Sequence, residues 1–575
     1  MTDSICSWDS VNYPQANSFT TANTEEILPG VTLPLPADLI RDWMCKNWES
    51  IAEYYRGTDL IPYISPQGAN VFSLIGGRFV INIAVVNAFT ALYQVGEGSD
   101  WLKQFLPGEE ELQSGSEEDQ ERAQLARERA FNRWRENRYF TSRESTESKA
   151  AYLFSLRRNW SLLEDIELVE SIGDTIILAA RAYGTHSFNS MGGGELTTIV
   201  DALLDKYIPG HPEEWITILT SGLTDVESNR PTKAIWDFSR LILESSVLVE
   251  DFRSLDSSVL LENLKNPPSS TWELVGGRFT ELQEDLGYRG QGELNPQVPT
   301  WNERPEFIVG NIKSSLDLAE DRNPYGRELI QKKVREDLEQ KIFTQLPESV
   351  HGEFRENLVL AQTLNRDRET GKASCVRYTR MFRPPILELG IRLRDKGLLV
   401  TEDDVWWLRL SELQDLVSRS AKNRTIQEAI KLRKEELEFL EQHDLPVLFE
   451  LPVEPVPIVV PGVVQESISL QGLGVSQGIV RGKARVVESA LAAVEAELEP
   501  GEILVAPFTD AGWTPLFVAA GGVVVETGGM LSHAATVARE YGLPAVVNIE
   551  GATSMIPNGA MVSINGATGV VEVIL

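Results

Sequence analysis

From Ala37 to about Leu440 the apolar residues mostly recur every three or four positions among charged ones, the spacing of amphipathic helices. The clearest stretches are Glu117 to Asn137, Glu147 to Leu163, Glu328 to Leu346 and Ile426 to Glu441. The first sixty residues are less regular, and Pro and Gly interrupt the run Leu28-Pro29-Gly30-Val31-Thr32-Leu33-Pro34-Leu35-Pro36. Past Leu440 the texture changes. Pro446, Pro452, Pro455, Pro457 and Pro461 stand among β-branched residues, which excludes a helix and favours an extended, stiff segment. Beyond it come short β-type runs: Ala484 to Val487, Glu502 to Ala506, Gly522 to Glu526, Ala545 to Asn548, Met561 to Ile564 and Gly569 to Ile574. Glycines punctuate them. Helices fit between at Thr514 to Ala520 and Ser532 to Tyr541.

The pattern predicts a multidomain α + α/β protein. A large, mostly helical region covers 1–445, a Pro-rich linker 446–469, and a small α/β domain 470–575. With 575 residues, several cores are expected. The formal net charge of -32 argues against nucleic acid and anionic membranes as partners. No long apolar run free of charges suggests a membrane span, and Met1 to Ser10 does not read as a secretory signal. Cys6, Cys45 and Cys375 are far apart and odd in number, which suits a reducing cytoplasm and gives no metal-ligand spacing. The dense Glu and Arg mixture from Glu109 to Glu147 reads as a solvated helical face. Gly76-Gly77-Arg78 and Gly276-Gly277-Arg278 read as turns rather than nucleotide loops, and no Gly-x-x-x-x-Gly-Lys-Ser/Thr motif is found.

Of the five histidines, His186, His211, His351, His443 and His533, only the last has a chemically suggestive setting. A buried strand runs into Thr527-Gly528-Gly529, which permits a sharp turn. Ser532 is a candidate N-cap, and Gly542 with Pro544 ends the helix. An imidazole on the first helical turn lies beside unpaired backbone N–H groups and the positive end of the dipole, where an anion is welcome and the neutral ring is favoured. A phosphoryl group on His533 would find those N–H groups, Ser532 and Thr527 around it.

The run Thr527-Gly-Gly-Met-Leu-Ser-His-Ala-Ala-Thr-Val-Ala-Arg-Glu-Tyr-Gly-Leu-Pro-Ala-Val-Val547 resembles the signature of the swivelling phosphohistidine domain of PEP-utilising enzymes. Gly472 to Val486, Gly501 to Val505 and Thr509-Asp-Ala-Gly-Trp-Thr-Pro-Leu516 are similar to its flanks, with Gln477 where the family usually has Pro and Asn548 for a common Gly. Weaker motifs follow the same family, most like the rifampicin phosphotransferase and phosphoenolpyruvate synthase-like members. They are Leu28 to Pro34, Gly77 to Asn82, Gly287 to Glu293 with Trp301 to Pro305, Arg355 to Asn357, Arg377 to Arg383, Leu389 to Leu393 and Glu402 to Leu408. Tyr288 stands where members often carry His.

The resemblance implies a small C-terminal swivelling β/β/α domain phosphorylated on His533, supported by Thr527, Gly528, Gly529 and Ser532, with no metal site on this chain. Family members begin with an ATP-grasp module, for which no counterpart is found here. A separate ATP-grasp protein is therefore the expected partner, bringing ATP and Mg2+, as in the split phenylphosphate synthase. The helical region would bind a small-molecule acceptor, in a dikinase-type reaction in the cytoplasm. Arg289, Arg355, Arg377, Arg380 and Arg383 are candidates for meeting phosphate charge, though ion-pair roles compete. Trp301, Trp406 and Trp407 suit core packing or an apolar pocket. Two alternatives stand beside transfer: a non-catalytic binding or regulatory protein, and a condensation enzyme that uses the phosphate to activate a substrate, as the prodigiosin-condensing relative does.

Overall fold

The computed structural model describes residues 5–10, 18–21, 24–54, 72–83, 129, 131–135, 138–212, 214–418, 423–458, 467–488, 498–529 and 532–574. They form two compact units: 1–199 with 294–297 and 359–459, and 200–293 with 298–358 and 460–575. The cut differs from the one the sequence suggests at 445/446. The physical reason is a shared apolar core that ties helices from 200–358 to the C-terminal sheet, described below. Among the described residues no helix is long and apolar enough to cross a membrane.

In the first unit β1 (Ser18–Thr20), β2 (Phe72–Ile75), β3 (Arg78–Asn82) and β4 (Leu448–Glu450) make an antiparallel sheet in the order β2-β3-β1-β4. The β2–β3 hairpin turns on Gly76 and Gly77, both at positive φ, as a two-residue loop of the right twist demands. A side chain at Gly77 would come within 2.8 Å of Val31. The start of the Pro-rich segment is thus built into this sheet, since β4 pairs with β1; residues 459–466 lie outside the described ones. Helices Arg138–Arg157 and His351–Arg380 contribute to this unit, and Asp165–Tyr207 begins in it. The predicted helix at 147–163 therefore stops at Arg157, and a 3-10 turn, Trp160–Leu162, follows. Asn159 caps that turn by accepting from the Ser161 N–H, a local bond that competes with helix continuation. Most of the stretch predicted at 117–137 lies outside the described residues.

In the second unit the helices Arg230–Leu243, Ser246–Ser254, Ser257–Lys265, Ser270–Leu286, Glu306–Leu316 and Pro324–Gln345 precede an eight-stranded sheet. Gly276 is not in a turn. It lies inside the helix Ser270–Leu286, where a Cβ would stand 2.3 Å from the Leu264 carbonyl, so the glycine permits a close helix–helix approach.

The strands are β5 (Ile468–Gln471), β6 (Leu473–Ser476), β7 (Ile479–Val486), β8 (Ile503–Ala506), β9 (Gly522–Val525), β10 (Ala545–Val547), β11 (Met561–Asn565) and β12 (Val570–Ile574). Their order is β5-β12-β11-β7-β8-β9-β10-β6. The centre, β7-β8-β9-β10, is parallel, and its runs Ile-Leu-Val-Ala, Gly-Val-Val-Val and Ala-Val-Val are buried throughout, as strands covered on both faces must be. The antiparallel β11 and β12 alternate buried and more exposed positions, the mark of one covered face.

One face of this sheet closes on Val562, Ile564, Val571 and Val573. The other carries Leu504, Val523, Val525 and Val547 into a core with Trp513, Phe517 and Val537 of the same domain. That core continues through Ile235, Trp236, Phe238 and Phe279 of the helical segment. At roughly 25 cal/mol for each Å² of apolar surface removed from water, a joint core of this kind dominates how the segments assemble.

Candidate functional site

β9 delivers the chain to Glu526, Thr527, Gly528 and Gly529, and the helix His533–Tyr541 carries it back. Gly528 has φ +145°, and a Cβ there would lie 3.1 Å from Ser532 Cβ and Oγ, so the position requires glycine. Ser532 caps the helix: its Oγ accepts from the Ala535 N–H at 3.2 Å. At the other end Gly542, in the left-handed conformation, donates back to Ala538 and Arg539. His533 is the first helical residue and is 6 % exposed.

The imidazole is held on both nitrogens. Nδ1 is 3.0 Å from Thr509 Oγ1 and Nε2 is 3.1 Å from Thr514 Oγ1, while Phe517 meets the ring edge-on at 5.9 Å between centroids. Thr514 donates its hydroxyl proton to the Ala511 carbonyl at 3.0 Å. It therefore accepts from Nε2–H, and Nδ1 stands against the Thr509 hydroxyl, so a neutral ring held this way carries its proton on Nε2. Two hydroxyls clasp the ring. The carboxylates nearby in sequence are engaged elsewhere: Glu526 accepts from Thr553 N at 2.7 Å, and Asp510 accepts from Gly512 N at 2.9 Å and Gly292 N at 2.6 Å.

Gly528, Ser532 and His533 thus meet at one turn. The Thr527 hydroxyl donates to the Pro507 carbonyl at 3.1 Å, and the Ser532 hydroxyl is occupied as a cap, so both bonds shape the turn. Gly529 offers its carbonyl to Ser532 N at 3.1 Å, and a Cβ there would meet nothing within 4 Å. The two residues that touch the ring, Thr509 and Thr514, were quoted in the sequence motif without a role. The available signal was two hydroxyls five positions apart, just past the carboxyl end of a parallel strand, where sites in open α/β sheets collect.

The arginines are placed differently. In the second unit Arg289 is buried and donates to Glu293 at 3.1 Å and to the Glu227 carbonyl at 3.4 Å. Burial works against its charge, but Glu293, Tyr288 and Glu227 hold the guanidinium above its ordinary value. Tyr288 donates its hydroxyl to Glu227 at 3.3 Å. Arg355 lies over the Phe343 ring at 4.7 Å. In the first unit Arg380 donates to Asn295 O at 2.9 Å and Arg383 to Pro296 O at 2.8 Å, and Arg377 is buried. Trp301 stacks on Phe307 at 5.2 Å and Trp406 is buried, while Lys434 lies 5.6 Å over Trp407.

Two turns along the helix from His533, Glu540 is 4 % exposed. Its Oε1 lies 3.5 Å from the Leu223 N–H, and among the described residues Oε2 has no hydrogen-bond partner. Burial pushes its carboxyl up to about 8.

Comparison with known proteins agrees with this architecture. Residues 498–569 match the PEP-utilising enzyme mobile domain. Residues 186–370 match the family described as the rifampicin phosphotransferase fourth domain. The small C-terminal domain is therefore of the PEP-utilising mobile class, and the large helical region before it carries a rifampicin phosphotransferase segment. The rifampicin phosphotransferase of Bacillus subtilis is 32% identical over 297 residues, covering 50% of this chain and 33% of that protein. That of Streptomyces sviceus is 29% identical over 395 residues, 67% of this chain and 44% of its own length. A prodigiosin synthesizing transferase of Serratia marcescens is 27% identical over 379 residues, 64% of this chain and 41% of its own. The chain spans less than half the length of these relatives.

Proposed function

We propose that this chain is a phosphotransferase component in which His533 carries a phosphoryl group from ATP to a small hydroxyl-bearing acceptor. The observation that carries the reading is an imidazole at a helix N-terminus, clasped by two hydroxyls, within the segment matched to the mobile domain. ATP would be bound by a separate ATP-grasp protein, which would also hold Mg2+. A P–N bond forms on His533 as the ring nitrogen displaces AMP from ATP, and one water cleaves the remaining phosphoanhydride to release inorganic phosphate, leaving a single phosphoryl group on the ring. The P–N bond breaks when the acceptor oxygen takes the phosphoryl group, and the hydroxyl proton passes to the ring or solvent. Displacing one threonine from the ring opens the attacking nitrogen. Thr527, the Gly528-Gly529 turn and the Ser532 region would support the phosphate.

The test is intact-mass measurement with ATP and magnesium, with and without the ATP-grasp protein encoded beside this chain, on wild type and His533→Ala. A gain of one phosphoryl group that needs the partner and His533 is the expected result. No gain with the correct partner would sink the reading. The similarity to a prodigiosin synthesizing transferase favours a second reading, in which the phosphorylated substrate goes on to a bond-forming step. A phosphorus balance on the final product separates them: phosphate retained means simple transfer, phosphate released means activation.

A further inference from the structure

The bond between Asp510 and Gly292 joins two stretches distant in sequence. Asp510 stands in the loop that holds His533, between Thr509 on Nδ1 and the 3-10 turn Ala511–Trp513 that leads to Thr514 on Nε2. Its Oδ1 caps that turn by accepting from Gly512 N at 2.9 Å, and its backbone carbonyl accepts from Trp513 N at 2.9 Å. The turn then offers the Ala511 carbonyl to the Thr514 hydroxyl. The shape of the turn therefore sets where both ring partners stand.

The other carboxylate oxygen reaches away from the domain. Oδ2 accepts from Gly292 N at 2.6 Å, and Gly292 belongs to the Gly287–Glu293 stretch that follows the helix Ser270–Leu286. Gly292 takes φ +57°, a left-handed conformation natural to glycine. The backbones meet closely at this point: a Cβ on Gly512 would lie 2.5 Å from the Gly290 carbonyl. Behind this stretch Arg289 and Glu293 form a buried ion pair, so the backbone offered to Asp510 is rigidly backed. Asp510 is itself 7 % exposed.

We propose that Asp510 is a positioning residue that couples the seating of the C-terminal domain on the Gly287–Glu293 stretch to the orientation of the His533 ring. One carboxylate oxygen reads the seat and the other fixes the turn that places Thr509 and Thr514. Two charge-assisted bonds to one carboxylate lock its rotation, so a change in how the seat meets the carboxylate passes to the turn that holds the clasp. The purpose of this coupling rests on the reading of His533 as the phosphoryl carrier. The contact itself does not, and the experiment reads ring geometry rather than phosphorylation.

The experiment is carbethoxylation of the full chain by diethylpyrocarbonate at neutral pH, followed residue by residue by peptide mass spectrometry. It is run on wild type, Asp510→Asn and Gly512→Ala. An Asn keeps only one acceptor, so either the Gly512 or the Gly292 N–H loses its partner. An alanine at 512 retains the carboxylate and obstructs the seat. In wild type His533 reacts more slowly than the half-buried His443. Both variants raise its rate about ten-fold, the order expected for loss of a charge-assisted hydrogen bond. The half-buried His186 and His211 stay unchanged and report unfolding separately. Imidazole 15N resonances of His533 also move from one tautomer toward the averaged solution pattern.

An unchanged His533 rate in Gly512→Ala overturns the proposal, as does a wild-type rate already equal to that of His443. Were Asp510→Asn to expose His186 as well, the Gly512→Ala result alone decides. Failure of ATP to label His533 would overturn the carrier reading and leave this coupling standing.

Discussion

The second unit holds two buried polar centres that solve the same problem in opposite ways. Around Arg289 ion pairs dominate: Glu293 lies within 3.1 Å, and Glu227 stands between Arg230 at 2.8 Å and the Tyr288 hydroxyl at 3.3 Å. Around His533 stand two hydroxyls and the edge of an aromatic ring. The first arrangement satisfies ions that cannot reach water, and changing either partner strands a charge. The second holds an imidazole by bonds that a threonine can release by rotating. Burial is common to both, so burial alone does not mark a reactive site. On the function proposed above, what distinguishes His533 is that its hydroxyl partners are exchangeable.

This contrast can be broken or sharpened experimentally. The largest effect is expected at His533: His533→Ala abolishes phosphoryl loading, read by intact mass, while the unfolding midpoint in denaturant changes little. At the charged centre the outcome inverts. Arg289→Met leaves Glu293 buried without its cation and lowers stability by about 3–5 kcal/mol, read from urea unfolding, because both side chains are almost wholly buried. If Arg289→Met left stability intact and removed loading instead, the two centres would have to exchange roles.

Glu540 gives the next effect, through pH. Its carboxyl is raised in the folded state to about 8, so the folded protein holds a proton that the unfolded chain releases. The stability from this group is complete below the unfolded value near 4.3 and is lost as pH rises toward 8, at up to about 1.4 kcal/mol per pH unit. Glu540→Gln removes that slope, so urea midpoints between pH 5 and 8 converge in the variant and diverge in wild type. Equal slopes would show that the carboxyl is hydrated in solution. The smallest effect belongs to Ser532→Ala, which loses the helix cap and about 1 kcal/mol in thermal or urea unfolding. Retained loading in that variant would assign Ser532 to the turn, whereas loss of loading beyond the stability change would assign its hydroxyl to the phosphate.

The C-terminal domain was legible because its signals are local. Continuous apolar runs at Ile503–Ala506, Gly522–Val525 and Ala545–Val547 announced buried strands, and Ser532 and Gly542 bracketed a helix at the predicted place. The helix starting before Glu328 and ending at Gln345 was readable for the same reason. The helix end at Arg157 was missed because apolar spacing continues through Leu162, while the Asn159 cap that ends it depends on one side-chain bond. At the site, the histidine and its turn were visible, and the structure adds that the Thr527 hydroxyl bonds the Pro507 carbonyl and the Ser532 oxygen caps the helix.

By itself the sequence determined the elements of the small domain, the helix that carries His533, and the glycine and serine that make its entry possible, because caps, turns and apolar periods act over a few neighbouring residues. Only the tertiary structure decided that Thr509 and Thr514 clasp the ring, that Asp510 reaches Gly292 across 218 positions, and that residues 200–358 share a core with the C-terminal sheet. Those outcomes depend on which buried surfaces fit each other and which backbone donors remain to be satisfied after packing, and neither quantity is written in any local stretch of chain.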